Sequence, residues 1–369
     1  MLTLVYATYA FGVLAALLLA GTISDHVGRR PVLIVALATL MAATVLFMLA
    51  NSVIWLFAAR ALQGLATGLA LGAASAALLD LHPHRDAQAV GLTNGVASAG
   101  GMGPGVLTSA LIIDLLPAPR VLPYVVLLTL LAVAFGGALK MPEPVAQRSR
   151  PRLTPQRPAV PTAVRPAFLL AALGVISSWS IGGLSLSLGP SLSAGLFHTT
   201  SPLLGAISVF ALAGQAAISQ VVLRRSTPWA GAAAGSLALA VGMLVVVAAA
   251  STDSASLYVA GTIVAGAGFG VAFLGALRAL SAAIPPEHRG SVMSAFYVVA
   301  YASISVPAIL AGVLDTPLGL RATFEIFGSA IAGVALLVAV LAWRSRPRDA
   351  ARRTEPAKCG EAAWSYQGT

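Results

Sequence analysis

The sequence predicts an all-α, polytopic membrane protein, and three observations carry that expectation. Of its 369 residues 58% are hydrophobic and only 9% charged, whereas soluble domains carry about 25% charged residues. The apolar residues lie in runs of roughly 18–27, and about 20 are needed to cross a ~30 Å hydrocarbon core. The connections between runs alternate between basic and nearly uncharged. Unbroken runs lack the period-2 alternation of barrel strands, so the spans are helices. The 36 glycines agree, since glycine is commoner in membrane helices than in soluble ones.

Eleven spans follow, with cores at 3–20, 32–50, 53–79, 89–113, 122–139, 168–188, 203–223, 229–250, 257–283, 291–314 and 322–343. One set of connections holds Arg29 and Arg30, then Arg85, then Lys140 and the arginines that follow it, then Arg224 with Arg225, and Arg289. The other set is short and holds only Arg120 and Arg321, beside Asp114, Asp253 and Asp315. Lys and Arg mark the cytoplasmic side. The net charge of +10 is therefore a statement of topology, not of nucleic-acid binding. The expected localisation is multi-pass and integral to the cell membrane, with linker and C-terminal tail cytoplasmic and the N-terminus outside.

The segment 141–166 holds seven prolines and five arginines. It reads as an extended, semi-rigid cytoplasmic linker. The expected organisation is a transmembrane bundle over 1–140, the linker, a second bundle over 167–343 and a tail over 344–369. The bundles look related. Gly64 and Gly68 match Gly266 and Gly270 at an offset of 202, and Pro104 matches Pro307 at 203. Such agreement points to an internal repeat. It leaves the sixth span without a counterpart, so one helix is expected to precede Met1. The single cysteine, Cys359, excludes an intramolecular disulfide.

The most specific motif is "GTISDHVGRR", Gly21 to Arg30, at the first basic turn. Gly21 permits close helix approach. Gly28 permits a tight turn at little steric cost. Asp25 is suited to accept from N–H groups at a helix N-terminus, where the dipole favours an anion. Arg29 and Arg30 can pair with an acid. This decapeptide resembles the signature loop of the major facilitator superfamily, which joins the second and third helices, departing mildly at Ile23 and His26. The resemblance implies a fold of two pseudo-symmetric helical bundles. It also implies a cytoplasmic latch of Gly21, Asp25, Gly28, Arg29, Arg30 and Asp80. In it Asp25 faces the region of Gly290–Ser291, and Arg29 pairs with Asp80 at the end of the third span.

"ARALQGLATG" resembles the superfamily's Arg-x-x-x-Gly-x-x-x-Gly pattern. A charge within a span is a functional hypothesis by default, and the resemblance links Arg60 to proton coupling. Snorkelling to the outer interface is the alternative. Gly64, Gly68 and Gly72 share one face and are expected to pack a helix. "GGMGPGVL" is similar, in part, to the Gly-Pro motif of drug–proton antiporters, with Gly103, Pro104 and Gly105 as a helix-bending element. Asn94, Trp179, Gln215, Tyr297 and Tyr301, with the serines near Trp179, are candidates for a substrate cavity between the halves. Glu325 is the second candidate for proton coupling.

No zinc motif, phosphate loop or nucleophile elbow is present. No enzyme activity, metal or cofactor is expected, only a proton gradient. The expected partners are the lipid bilayer and a small-molecule substrate, with a monomeric chain. The resemblance implies a transporter working by alternating access, as a proton-coupled exporter of drug-like or amphipathic compounds. The alternatives are a nutrient symporter and a truncated, non-transporting membrane protein.

Overall fold

A computed structural model describes residues 2–20, 23–84, 86–145, 158–285 and 288–345. Among them there are helices and no strands. The first half comprises α1 (Leu2–Ala20), a short α2 (Ile23–Val27), α3 (Arg29–Leu49), α4 (Val53–Leu81), α5 (Ala87–Leu115) and α6 (Leu122–Lys140). The second comprises α7 (Arg165–Ser187), a short α8 (Gly189–Leu196), α9 (Pro202–Val222), α10 (Pro228–Thr252), α11 (Ala255–Ala283), α12 (Arg289–Leu318) and α13 (Leu320–Arg344). Ten are long and apolar enough to cross a membrane by length and composition. The eleventh expected span is α1, whose apolar stretch among the described residues is Thr8–Leu19.

The repeat is visible in the packing. A Cβ on Gly64 of α4 would strike the Tyr9 carbonyl of α1, and one on Gly68 would lie 2.8 Å from the Val13 carbonyl. In the second half a Cβ on Gly266 of α11 would lie 2.5 Å from the Leu212 carbonyl of α9, and one on Gly270 would strike that of Ala216. Leu212 follows Tyr9, and Ala216 follows Val13, by the same 203 residues that separate Pro104 from Pro307 (212 − 9, 216 − 13, 307 − 104). Thus α4 closes on α1 as α11 closes on α9. Gly72, expected to continue the packing stripe, meets nothing within 4 Å. The stripe ends where the two helices diverge.

The halves meet along two seams. One runs between α1 and α12, the other between α5 and α9. On the second seam Gly95 lies against the Gln220 amide. Further along, Gly103 faces Ala213 and the Phe210 carbonyl. At the end of α5, Ser201 Oγ donates to Asp114 Oδ2 at 2.7 Å. In the second half α7 packs against α11, α12 and α13. In the first half α5 only grazes its neighbours α4 and α6.

Candidate functional site

The signature loop is built around one guanidinium. Arg29 Nε donates to Asp80 Oδ2 at 3.0 Å, and its Nη1 donates to Ser24 Oγ at 2.7 Å and to Asp25 Oδ1. The Arg29 side chain is 13% exposed, Asp80 28% and Asp25 50%. The Arg29–Asp80 pair is thus partly shielded from water, while Asp25 stands at the rim. Short α2 supplies the geometry by placing Ser24 and Asp25 one turn before Arg29. Gly28 ends it with φ +114°, a backbone conformation open to glycine but rare for other residues.

Glu143 completes the loop and was not evident from the sequence. Its Oε1 accepts from Arg29 N at 2.9 Å and its Oε2 from Arg30 N at 3.0 Å. A carboxylate thus binds the first free N–H groups of α3, where the helix dipole favours it. A Cβ on Gly28 would lie 2.5 Å from Glu143 Oε2, so any other residue there would push the carboxylate off its seat as well as strain φ. Arg30 Nη2 donates to the Leu139 carbonyl. The described ends of the linker are anchored. Its start docks on the loop, and further along Ala159 N reaches the Ser291 carbonyl at 3.5 Å.

Among the described residues Asp25 pairs with Arg29, within its own segment. Ser291, near which it was expected, bonds the His288 carbonyl through its hydroxyl. Gly21 lies outside the described residues.

Among the described residues Arg60 pairs with no acid. Its Nη1 donates to Gln63 Oε1 at 2.9 Å, its guanidinium lies 5.1 Å from the Phe47 ring centroid, and its Nε is buried without a partner. Glu325 accepts from Arg321 Nε and from Ser251 Oγ, each at 3.0 Å. Its ion pair with Arg321 lies within α13, and the Ser251 hydroxyl of α10 adds a bond across to that helix. The two candidates for proton coupling lie in different halves and are not brought together.

The candidate cavity residues also separate. Trp179 stands edge-on to Tyr301 at 5.3 Å and near Phe273 at 5.6 Å. With Tyr297 they pack against Ala10, Val13 and Leu17 of α1. Trp179, Tyr297 and Tyr301 thus pack at the α1–α12 seam. The nearby serines bond backbone carbonyls: Ser178 that of Gly174, Ser180 that of Ser303. Asn94 Nδ2 donates to Ser75 Oγ at 2.9 Å and ties α5 to α4. Gln215 lies half-buried on α9.

A cavity of about 850 Å³ lies against the first half. Pro104, Gly105, Thr108 and Ser109 of α5 form one wall, and Tyr124 and Leu127 of α6 another. Phe47 of α3 and Arg120 close its end. The bending element thus lines it through Pro104 and Gly105, while Gly103 faces α9.

A sequence model described as Major Facilitator Superfamily matches residues 1–306 and 232–366. The chain belongs to that superfamily. Multidrug resistance protein MdtL of Escherichia coli (strain K12 / DH10B) is 38% identical over 96 residues, 26% of this chain and 25% of that protein. MdtL of Shigella boydii serotype 18 matches to the same extent. The match thus spans about a quarter of these relatives' length. The crystal structure of the human organic anion transporter MFSD10 (TETRAN) superposes with a TM-score of 0.67 over 92% of this chain and 83% of that one, at 20% identity. That likeness shows the superfamily fold, all-α and multi-pass, and nothing about cargo.

Proposed function

We propose that this chain is a secondary active transporter of small molecules, and that it exports drug-like or amphipathic compounds by alternating access. The observation that carries the reading is the Arg29 network. It ties one loop to the end of α4 through Asp80 and to the linker through Glu143. A turn that served only topology would need none of these partners. Membership of the superfamily supports transport, and the 96-residue similarity to multidrug resistance proteins supports efflux. The basic connections set this loop on the cytoplasmic side. The halves would rock about the α1–α12 and α5–α9 seams. The proton gradient is the proposed driving force, with Arg60 the better-placed coupling residue, since Glu325 is already paired with Arg321. The chain is proposed to act as a monomer, without cofactor or catalysis.

The test is dye flux in proteoliposomes under an imposed pH gradient, for wild type and Asp25→Asn. Flux that needs both the gradient and Asp25 is the expected outcome. Absence of flux in the wild type would remove the reading, and inward-only accumulation would turn it towards uptake.

A further inference from the structure

The cavity beside α5 and α6 has the size of a site for a small organic molecule. Its volume is about 850 Å³, and pockets for drug-sized ligands run to about 300–1,000 Å³. It follows α5 from Gly101 to Ile113, about 18 Å at the rise of an α-helix. A Cβ on Gly101 or Gly105 would meet nothing within 4 Å, so these glycines leave the cavity its width. Its long wall is apolar, with Ile112 of α5 and Leu127 and Leu130 of α6. Towards the end marked by Arg120, Phe47 and Tyr124 stack with ring centroids 6.1 Å apart and planes 5° apart.

The polar groups of this lining are uncommitted. Thr93 of α5 and Thr129 of α6 donate their hydroxyls back to the Ala89 and Val125 carbonyls. Thr108, Ser109 and Tyr124, which line the cavity, make no side-chain hydrogen bond among the described residues. The charge is one-sided as well. Among the described residues no Asp or Glu lines the cavity, and Arg120 does. Arg321, the other arginine of the sparsely charged connections, is held by Glu325. Arg120 has no ion pair among the described residues. Asp114, the acid nearest to it in sequence, accepts instead from Ser201 of the second half. A second cation stands close by. The Arg60 guanidinium lies 5.1 Å from the Phe47 ring, and it too lacks an acid among the described residues. Beside a hydrocarbon core charges act more strongly than in water, so this field admits an anion and rejects a cation.

We infer that the α5–α6 cavity is a binding site for a drug-sized amphipathic organic anion. Its acidic end lies at Arg120 and the Tyr124 hydroxyl. Its apolar body lies along Ile112, Leu127 and Leu130 towards Gly101. Thr108 and Ser109 are placed to donate to a polar group part-way along. A volume of this size fits one short chain or a few fused rings, not the two full-length chains of a bilayer lipid. The site exists whether or not its occupant crosses the membrane, so it does not rest on the transport reading.

The experiment measures equilibrium binding of radiolabelled dodecanoate to the full chain in phosphatidylcholine nanodiscs, with empty nanodiscs subtracted. Dodecanol and dodecyltrimethylammonium, of the same chain length with a neutral or a cationic head, compete for the label. The expected result is saturable binding that dodecanoate displaces at least tenfold better than either. Arg120→Gln should weaken dodecanoate about tenfold, the scale of one charge-assisted bond, and leave dodecanol within twofold. Gly101→Leu, whose side chain enters free space, should weaken both more than tenfold without lowering the thermal midpoint. Arg321→Gln removes a charge on the same side and should leave dodecanoate within twofold. Equal displacement by all three compounds would show an apolar groove without head-group recognition and overturn the inference. So would an equal loss in Arg321→Gln, which means a diffuse field. Loss of label when phosphatidylglycerol replaces part of the phosphatidylcholine would make it a lipid site and overturn it too, as would the absence of saturable binding. If Gly101→Leu lowers the midpoint, the Arg120→Gln comparison decides. No step reads flux, so failure here leaves the transport reading standing.

Discussion

At the scale of single residues, the Arg29 side chain joins three partners at the loop, Asp80, Ser24 and Asp25. Replacing it with alanine leaves the Asp80 carboxylate, only 28% exposed, without its cation. Bonds to charged groups are worth about 1.5–3 kcal/mol each, less where water reaches them. The expected result for Arg29→Ala is a fall in thermal midpoint of several degrees and a loss of flux. The double variant Arg29→Ala/Asp80→Ala should be less destabilised than the sum of the singles, which a double-mutant cycle measures. Additive losses would mean that the pair does not act as a unit. Glu143→Ala should cost about 1 kcal/mol, the usual worth of a helix cap. Glu143→Asp, whose shorter arm reaches only one of the two N–H groups, should recover about half. The pairing of Arg29 with Asp80 was legible from the motif, because the residues of the loop carry it. Glu143 was not. Its partners are 113 and 114 positions away, and only the tertiary approach of the end of α6 to the start of α3 reveals it.

At the scale of helices, hydropathy located every long span to within a few residues, since membrane thickness dictates the length of each run. It was silent on α2 and α8. Both are only a turn or two long and gain their shape from neighbours rather than from an apolar run. The glycine stripe of α4 shows the same limit. Spacing placed Gly64, Gly68 and Gly72 on one face, but contact depends on where the partner helix diverges. A Cβ on Gly64 would strike the α1 backbone, which cannot rotate away, whereas one on Gly72 meets open space. Gly64→Ala should therefore destabilise by about 1–3 kcal/mol, the cost of overpacking. Gly72→Ala should be neutral or slightly stabilising, because alanine is the better helix former. Thermal unfolding of the two variants side by side checks this. Equal effects would show that α1 and α4 are not held as closely as described.

At the scale of the whole molecule, one contact reports how the halves come together. Gly95 of α5 lies against the buried Gln220 amide of α9, near the basic end, whereas Gly103 on the same seam has about 3.4 Å to Ala213. Any side chain at 95 must displace the Gln220 amide, and leucine brings the most bulk against that face of α9. The two halves are joined covalently only by the linker, so such a clash need not unfold either bundle. It destabilises only the arrangement in which this end is closed. A cost of about 1–3 kcal/mol in one of two states shifts their ratio about 5- to 150-fold. Gly95→Leu should therefore hold the basic end apart and reduce flux by more than tenfold while leaving thermal stability nearly unchanged. Gly103→Ala, which fits, should do neither. The conformational part is measured by crosslinking Asp86→Cys to Arg278→Cys, two positions whose charges act on one another in the closed arrangement, with Cys359→Ser removing the native thiol. Crosslinking should fall in Gly95→Leu and persist in Gly103→Ala. Unchanged crosslinking with lost flux would place the fault in cargo handling rather than in closure. Lost stability would mean that the seam holds the fold together and does not open in a working cycle.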